Sequence, residues 1–329
     1  MLARASMFLL LFGCFVSPLP ADGDLYELKG KIVRFDDGKP VRGSVPVVFL
    51  RSVRTPYTTN TLVGPSGRFN FKDLPPGPYR ITISIPDWGQ MEKSIDIGPS
   101  FADRENRIER EFKFQPDYQT ESSDVVSIKQ LTVPRKAQNE YRDALKRLEK
   151  RETDKAVEHL EKAVEIAPHY SDAWNRLGTI SFVSQEFARA EKYFRTALQH
   201  DPTSFSPVVN LGAALYAQGK IEESLELNKK AVSMEPRDPL ANSQLGLSYL
   251  ALKKYPEAED SLLKCKSLDP AHFSHPQVTL AELYRQIGDA EGMARELKEF
   301  IHYHPDDPRV GDFKIILADL EKTPAYAPE

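Results

Sequence analysis

Four of the seven histidines, His272, His275, His302 and His304, fall close together near the C-terminal end, and His302-Tyr303-His304 has the spacing of a metal-binding pair. A structural zinc site needs four converging ligands and a catalytic one three. His304 directly precedes Pro305, where Ala167, Asp201, Glu235 and Asp269 precede other prolines. The cluster is therefore read as turn residues at a solvated corner, and no metal is assigned. The cysteines are Cys14 and Cys265. A chain processed after residue 21 keeps one thiol and no internal disulfide, and Cys265 reads as a small buried residue. Asp22-x-Asp24 and Asp36-Asp37-Gly38 lack the ligand count of a calcium loop. Acidic pairs such as Glu222-Glu223 sit on expected helix exteriors, where a solvated face is the default. There is no G-x-S-x-G, H-E-x-x-H or P-loop. No catalytic residue and no cofactor is assigned, and the chain is expected not to be an enzyme.

The elements that position these residues follow a fixed period. Pro168, Pro202, Pro236, Pro270 and Pro305 are 34, 34, 34 and 35 residues apart, and each closes a block of two amphipathic helical patterns. A small residue recurs in the first helix (Gly178, Gly212, Gly246, Ala281), always preceded by leucine. In the second helix Ala156, Ala190, Ser224, Ala258 and Met293 recur, with Ala163, Ala197, Ala231, Cys265 and Phe300 seven residues later. Small residues allow two helices to approach, large neighbours fill the groove, and proline ends the second helix. Asn228 stands where Phe194 stands one repeat earlier, and that slot is read as partly open.

The block with Trp174-x-x-Leu177-Gly178, Ala190-x-x-x-Phe194, Ala197 and Pro202 resembles the tetratricopeptide repeat. The resemblance implies an all-α superhelical solenoid of five repeats, about 137–170, 171–204, 205–238, 239–273 and 274–307. A capping helix carrying Phe313, Ile316, Leu317 and Leu320 completes an array over 137–321. It also implies a concave groove, lined by the first helices, that holds a peptide. Carried over by register, the groove residues are Asn175, Thr179, Phe182, Val209, Ala213 and Tyr216. Ser243, Leu247, Leu250, Val278, Glu282 and Arg285 complete the set. Val209, Ala213, Ser243 and Leu247 replace the basic residues of a carboxylate clamp, so the groove is expected to be mildly apolar. Phe182, Tyr216 and Leu250 are expected as its exposed anchors, with Arg285 free to pair with an acid on the partner.

Residues 24–114 read differently. Apolar alternations over 25–34, 45–51, 58–63, 67–72, 79–85, 91–97 and 107–114 are separated by Gly, Pro and Asp turns. About seven short strands at this spacing predict an all-β sandwich. The run Gly67-Arg68-Phe69-Asn70-Phe71 through Leu74-Pro75-Pro76-Gly77-Pro78-Tyr79, with Gly30-Lys31-Ile32-Val33, is similar to the carboxypeptidase regulatory-like domain, a prealbumin-like sandwich related to Cna B-type repeats. Some of those relatives form a Lys–Asn isopeptide bond. Lys29 and Lys31 are present, but the last strand offers no asparagine, and the bond is not expected. Tyr57 and Trp88 are weighed as a sugar-binding edge against turn aromatics that pack on their own sandwich.

Residues 1–21 carry Arg4, an apolar run over 7–16, Pro18, Pro20 and a small Ala21. This is the pattern of a secretory signal, too short to span a bilayer comfortably. Leu11-Phe12-Gly13-Cys14 resembles a lipobox, and membrane association is expected only if Cys14 is lipidated. The expected order is a signal at 1–21, a sandwich at 22–115, a linker at 116–136 that separates two independent cores, the array at 137–321 and a tail at 322–329. With 44 Lys and Arg against 48 acids, scattered and without a basic stripe, nucleic acid is not expected as a partner. The expectation is an exported protein, periplasmic or secreted, that acts as a protein-binding scaffold of the bacterial envelope. The alternative is a carbohydrate- or surface-binding module in which the sandwich binds and the array serves as a spacer or multimeriser.

Overall fold

The computed structural model describes residues 24–36, 38–39, 45–53, 58–85, 88–115 and 133–321. The signal-like segment, Tyr57, most of the linker and the tail lie outside them.

Strict alternation builds the first domain. Tyr79, Ile81, Ile83 and Ile85 are buried along one strand while Arg80, Thr82 and Ser84 point outward. Sheet A has the order β4–β1–β7, from Arg68–Leu74, Tyr26–Arg34 and Arg107–Phe114, with β1 and β7 parallel. Sheet B has the order β3–β2–β5–β6, from Thr58–Leu62, Val47–Ser52, Gly77–Ile85 and Gly89–Ile97, all antiparallel. Leu28, Ile32, Val48, Leu50, Phe69, Phe71, Leu74, Ile108 and Phe112 fill the space between the sheets. Gly30 faces Phe69 across the β1–β4 ladder, and any Cβ there would overlap the Phe69 ring. The Leu74-Pro75-Pro76-Gly77 turn is fixed by Tyr79, whose hydroxyl donates to the Pro75 carbonyl at 2.8 Å. Lys29 and Lys31 pair with Glu27 and Glu111 on the surface.

The second domain is all helical: α1 (Arg135–Glu149), α2 (Thr153–Ile166), α3 (Ser171–Val183), α4 (Phe187–His200), α5 (Phe205–Ala217) and α6 (Ile221–Met234). It continues through α7 (Pro239–Ala251), α8 (Tyr255–Leu268), α9 (Pro276–Ile287), α10 (Ala290–Tyr303) and α11 (Val310–Leu320). The first helix starts at Arg135, two residues inside the expected linker, and Val133 before it is buried. Close approach occurs where the small residues recur. A Cβ at Gly178 would press on the Phe194 ring, at Gly212 on Asn228 and at Gly246 on Leu262. Phe313 and Leu317 of α11 close the last cluster.

Two expectations need correction. The Asn228 slot is not open: Asn228 is 1% exposed, and its amide donates to Ser248 Oγ at 2.9 Å and to the Gln244 carbonyl at 3.1 Å. Ser224 Oγ in turn donates to the Gly212 carbonyl at 2.8 Å. A polar network therefore replaces the phenylalanine. Nor are the two domains separate, because β6 and the short turn Pro99–Phe101 lie against the last repeats. Ser94 N donates to Asp269 Oδ2 (3.0 Å), Lys93 Nζ to the Leu268 carbonyl (3.2 Å) and Ser100 N to Asp306 Oδ2 (3.0 Å). His304 Nδ1 lies 2.6 Å from Asp96 Oδ2.

Candidate functional site

His272 and His304 belong to this contact between domains, while His302 stays exposed. His272 and His304 are buried rather than solvated, because the sandwich covers the corner they occupy. His272 Nδ1 lies 2.7 Å from Ser274 Oγ. Burial, helped by the charges of Arg80 and His304, pulls His272 down to about 3, so it is neutral at ordinary pH. Asp307 faces His275 at 3.9 Å; burial works to raise its pKa, but the hydrogen bonds and charge of Arg309 outweigh that and hold it at about 2. No group of three or more metal-ligating side chains converges among the described residues. Cys265 is fully buried, and burial pushes its thiol up to about 12, which removes it as a nucleophile.

The first helices of the repeats, α3, α5, α7 and α9, carry the expected groove residues, and these fall into two groups. Val209, Ser243, Leu250 and Val278 are buried. Leu250 belongs to the core with Leu280 and Leu283 of α9, because the next repeat closes over it. Asn175, Thr179, Phe182, Ala213, Tyr216, Leu247 and Glu282 are half-buried, and only Arg285 is exposed. Asn175 Oδ1 accepts from Asn210 Nδ2 at 3.0 Å, tying α3 to α5, while Thr179 Oγ1 donates to the Asn175 carbonyl. Phe182 rests edge-on against Phe187, 5.4 Å between ring centres. Arg285 is not waiting for a partner's acid: Glu282, one turn back on α9, takes its guanidinium at 2.6 and 2.7 Å.

What sequence reasoning missed is the second wall. The outward side of sheet B carries Arg51, Arg80, Thr82 and Glu92, and it turns toward the solenoid. Arg80 Nε pairs with Glu92 Oε1 at 2.7 Å, and the Arg80 guanidinium lies 5.1 Å from the Phe273 ring centre. Opposite stand Glu235, Asp238 and Asp269 from the turns between repeats, and burial raises the pKa of all three. Asp238 also caps α7 by accepting from Ala241 N at 2.6 Å. Glu92 is raised too, chiefly by burial and only partly offset by Arg80. Glu92 and Glu235 stay exposed and Asp238 is half-buried, while Asp269 is buried in the contact between the domains. The only sequence signal was the outward phase of the β2 and β5 alternation, which says that a side chain leaves the sandwich and not what it meets.

Trp88, at the turn between β5 and β6, is over a third exposed, and Tyr57 lies outside the described residues. No helix is long and apolar enough to cross a membrane among the described residues.

Comparison with known proteins agrees with the helical register. Profiles of the tetratricopeptide repeat match residues 147–215, 181–240 and 241–272, so the helical domain carries these repeats, which generally act in protein–protein interaction. Type IV pilus assembly protein PilF of Pseudomonas aeruginosa is 30% identical over 141 residues, 41% of this chain and 56% of that protein. Hsp70-Hsp90 organizing protein 3 of Arabidopsis thaliana is 30% identical over 204 residues, 59% of this chain and 36% of that one. The peroxisomal targeting signal receptor of Kluyveromyces lactis is 33% identical over 92 residues, 28% and 16% of the two chains. This chain thus spans little more than half, or less, of the curated relatives it matches. Among solved structures, the pilus biogenesis factor PilW superposes with a TM-score of 0.53 at 19% identity, covering 59% of this chain and 88% of that one. That likeness concerns the fold alone.

Proposed function

We propose that this is a non-enzymatic interaction protein, exported to the bacterial envelope, whose tetratricopeptide array holds a peptide segment of a partner protein along the faces of α3, α5 and α7. One observation carries the reading. Thr179, Ala213 and Leu247, and likewise Phe182 and Tyr216, recur at repeat spacing and are partly open to solvent beside the half-buried Asn175, on a stack whose own cores lie behind them. Such a row mixes apolar contact with hydrogen-bonding groups and suits a segment that supplies the same mixture. The names of the relatives, an organizing protein and a targeting-signal receptor, support protein partners. Export rests on the basic, apolar and small-residue order of residues 1–21, and the sandwich is read as carboxypeptidase regulatory-like on its glycine, proline and aromatic pattern.

A random-peptide display library selected on the full chain tests the groove. Enriched peptides should lose at least tenfold in affinity when Ala213→Arg and Leu247→Arg are combined, with helical circular dichroism unchanged; burying one apolar anchor contributes about 1.5–3 kcal/mol. Enriched peptides that bind the double variant as tightly as the wild type would place the interaction elsewhere.

A further inference from the structure

One junction of the stack is built differently from its neighbours. Where the second helix of a repeat meets the first helix of the next, three positions recur at repeat spacing. They are Ala190, Phe194 and Ala214 between α4 and α5, and Ala258, Leu262 and Leu283 between α8 and α9. All six are apolar and lie in the cores. Between α6 and α7 the same positions hold Ser224, Asn228 and Ser248, none of them more than 1% exposed. Every apolar slot of this one junction has become polar together.

Hydrogen bonds join the three side chains. The Asn228 amide donates to Ser224 Oγ at 3.2 Å and to Ser248 Oγ at 2.9 Å, and the two hydroxyls donate to the carbonyls of Gly212 and Gln244. The network is incomplete, because Asn228 Oδ1 and Gln244 Oε1 are buried without a partner among the described residues. A buried acceptor left unpaired weakens the closed state, and water supplies its hydrogen bond once the helices part. An apolar trio has the opposite preference, since water penalises its exposure. At the far end of the same contact Ala231 and Ala241 pack with Leu227, Met234 and Leu240. The junction thus has one dry, apolar end and one polar end that loses little on opening.

We propose that the α6–α7 junction is a hinge, at which the array bends about the apolar end while the polar end opens and closes. The sandwich is bonded to Asp269, His304 and Asp306, all beyond the hinge, so it travels with α7–α11. The other body is α1–α6. The hinge goes beyond the groove reading and stands without it. Its consequence for the groove is that Tyr216 on α5 and Leu247 on α7 change their spacing as the array bends.

Distance distributions between paired spin labels test the hinge on the full chain, with Cys14→Ala and Cys265→Ala as background; alanine fills the Cys265 slot in three sister repeats. Labels at the exposed positions Lys192→Cys and Lys264→Cys span the junction. Lys162→Cys with Lys192→Cys, and Lys264→Cys with Lys298→Cys, each lie within one body. A broad or two-peaked distribution is expected across the junction and a narrow one within each body. Refilling the junction with Ser224→Ala, Asn228→Leu and Ser248→Ala, residue types of the sister junctions, should narrow the spanning distribution to the width of the other two. A wild-type distribution across the junction as narrow as those within the bodies overturns the proposal. So does a refilled variant that stays as broad as the wild type. If that variant does not fold, the three wild-type distributions decide alone.

Discussion

Gly212 shows how a single side chain sets the spacing of two helices. A Cβ there would collide with Asn228, so Gly212→Leu should destabilise the array by about 1–3 kcal/mol in urea unfolding, against almost no change for Lys229→Leu on the exposed face of α6. Equal effects would mean the register is misassigned. The glycine was legible from its repeat position, but its partner was not: only the folded packing reveals that the Asn228 amide donates to Ser224 and Ser248. Asn228→Phe should therefore cost about 1–3 kcal/mol by overpacking a filled slot. His272 supplies a pH signature. Its folded pKa is depressed to about 3 from 6.5, so its contribution to stability is complete above pH 6.5 and lost as pH falls toward 3. Between pH 6.5 and pH 5 that amounts to about 2 kcal/mol. Asp269, whose pKa burial raises, pulls the opposite way, so the wild type must be compared with His272→Asn. The variant should lose less stability than the wild type over that interval, and identical slopes would contradict the burial of a neutral imidazole.

Two devices close the repeats at the scale of the element, the first in all five and the second at three of the proline turns. The turn between the helices of each repeat passes through a left-handed residue, at Arg151, Gln185, Gly219, Lys253 and Gly288. Nothing lies within 4 Å of a Cβ built on Gly219, so Gly219→Ala tests the backbone alone and should cost about 1–2 kcal/mol. A neutral result would remove the left-handed turn from the account. The second device locks the proline turns. Trp174 Nε1, Asn242 Nδ2 and Gln277 Nε2 donate to the carbonyls of Pro168, Pro236 and Pro270 at 2.7, 3.1 and 2.7 Å. The proline period was plain in the sequence because one residue type repeats. These locks were hidden because an indole and two amides do the same work, and because arginine, glutamine and lysine give no sign of a left-handed backbone.

At the scale of the whole molecule, strand order within each sheet and helix order within the array follow from local alternation and period, and both were legible. Docking of the sandwich on the last repeats was not, since Ser94–Asp269, Asp96–His304 and Ser100–Asp306 join residues far apart in the chain that carry no shared pattern. A joined interface predicts one calorimetric unfolding transition for the wild type and two for Asp269→Ala combined with Asp306→Ala. Two transitions in the wild type would show that the domains unfold independently. The central claim, that a peptide lies on the inner helix faces beside the sandwich, is tested most directly by hydrogen exchange of the full chain with and without a display-selected peptide. Protection is predicted in α3, α5 and α7. Protection confined to α4, α6 and α8 or to sheet A, with α3, α5 and α7 unchanged, would contradict it.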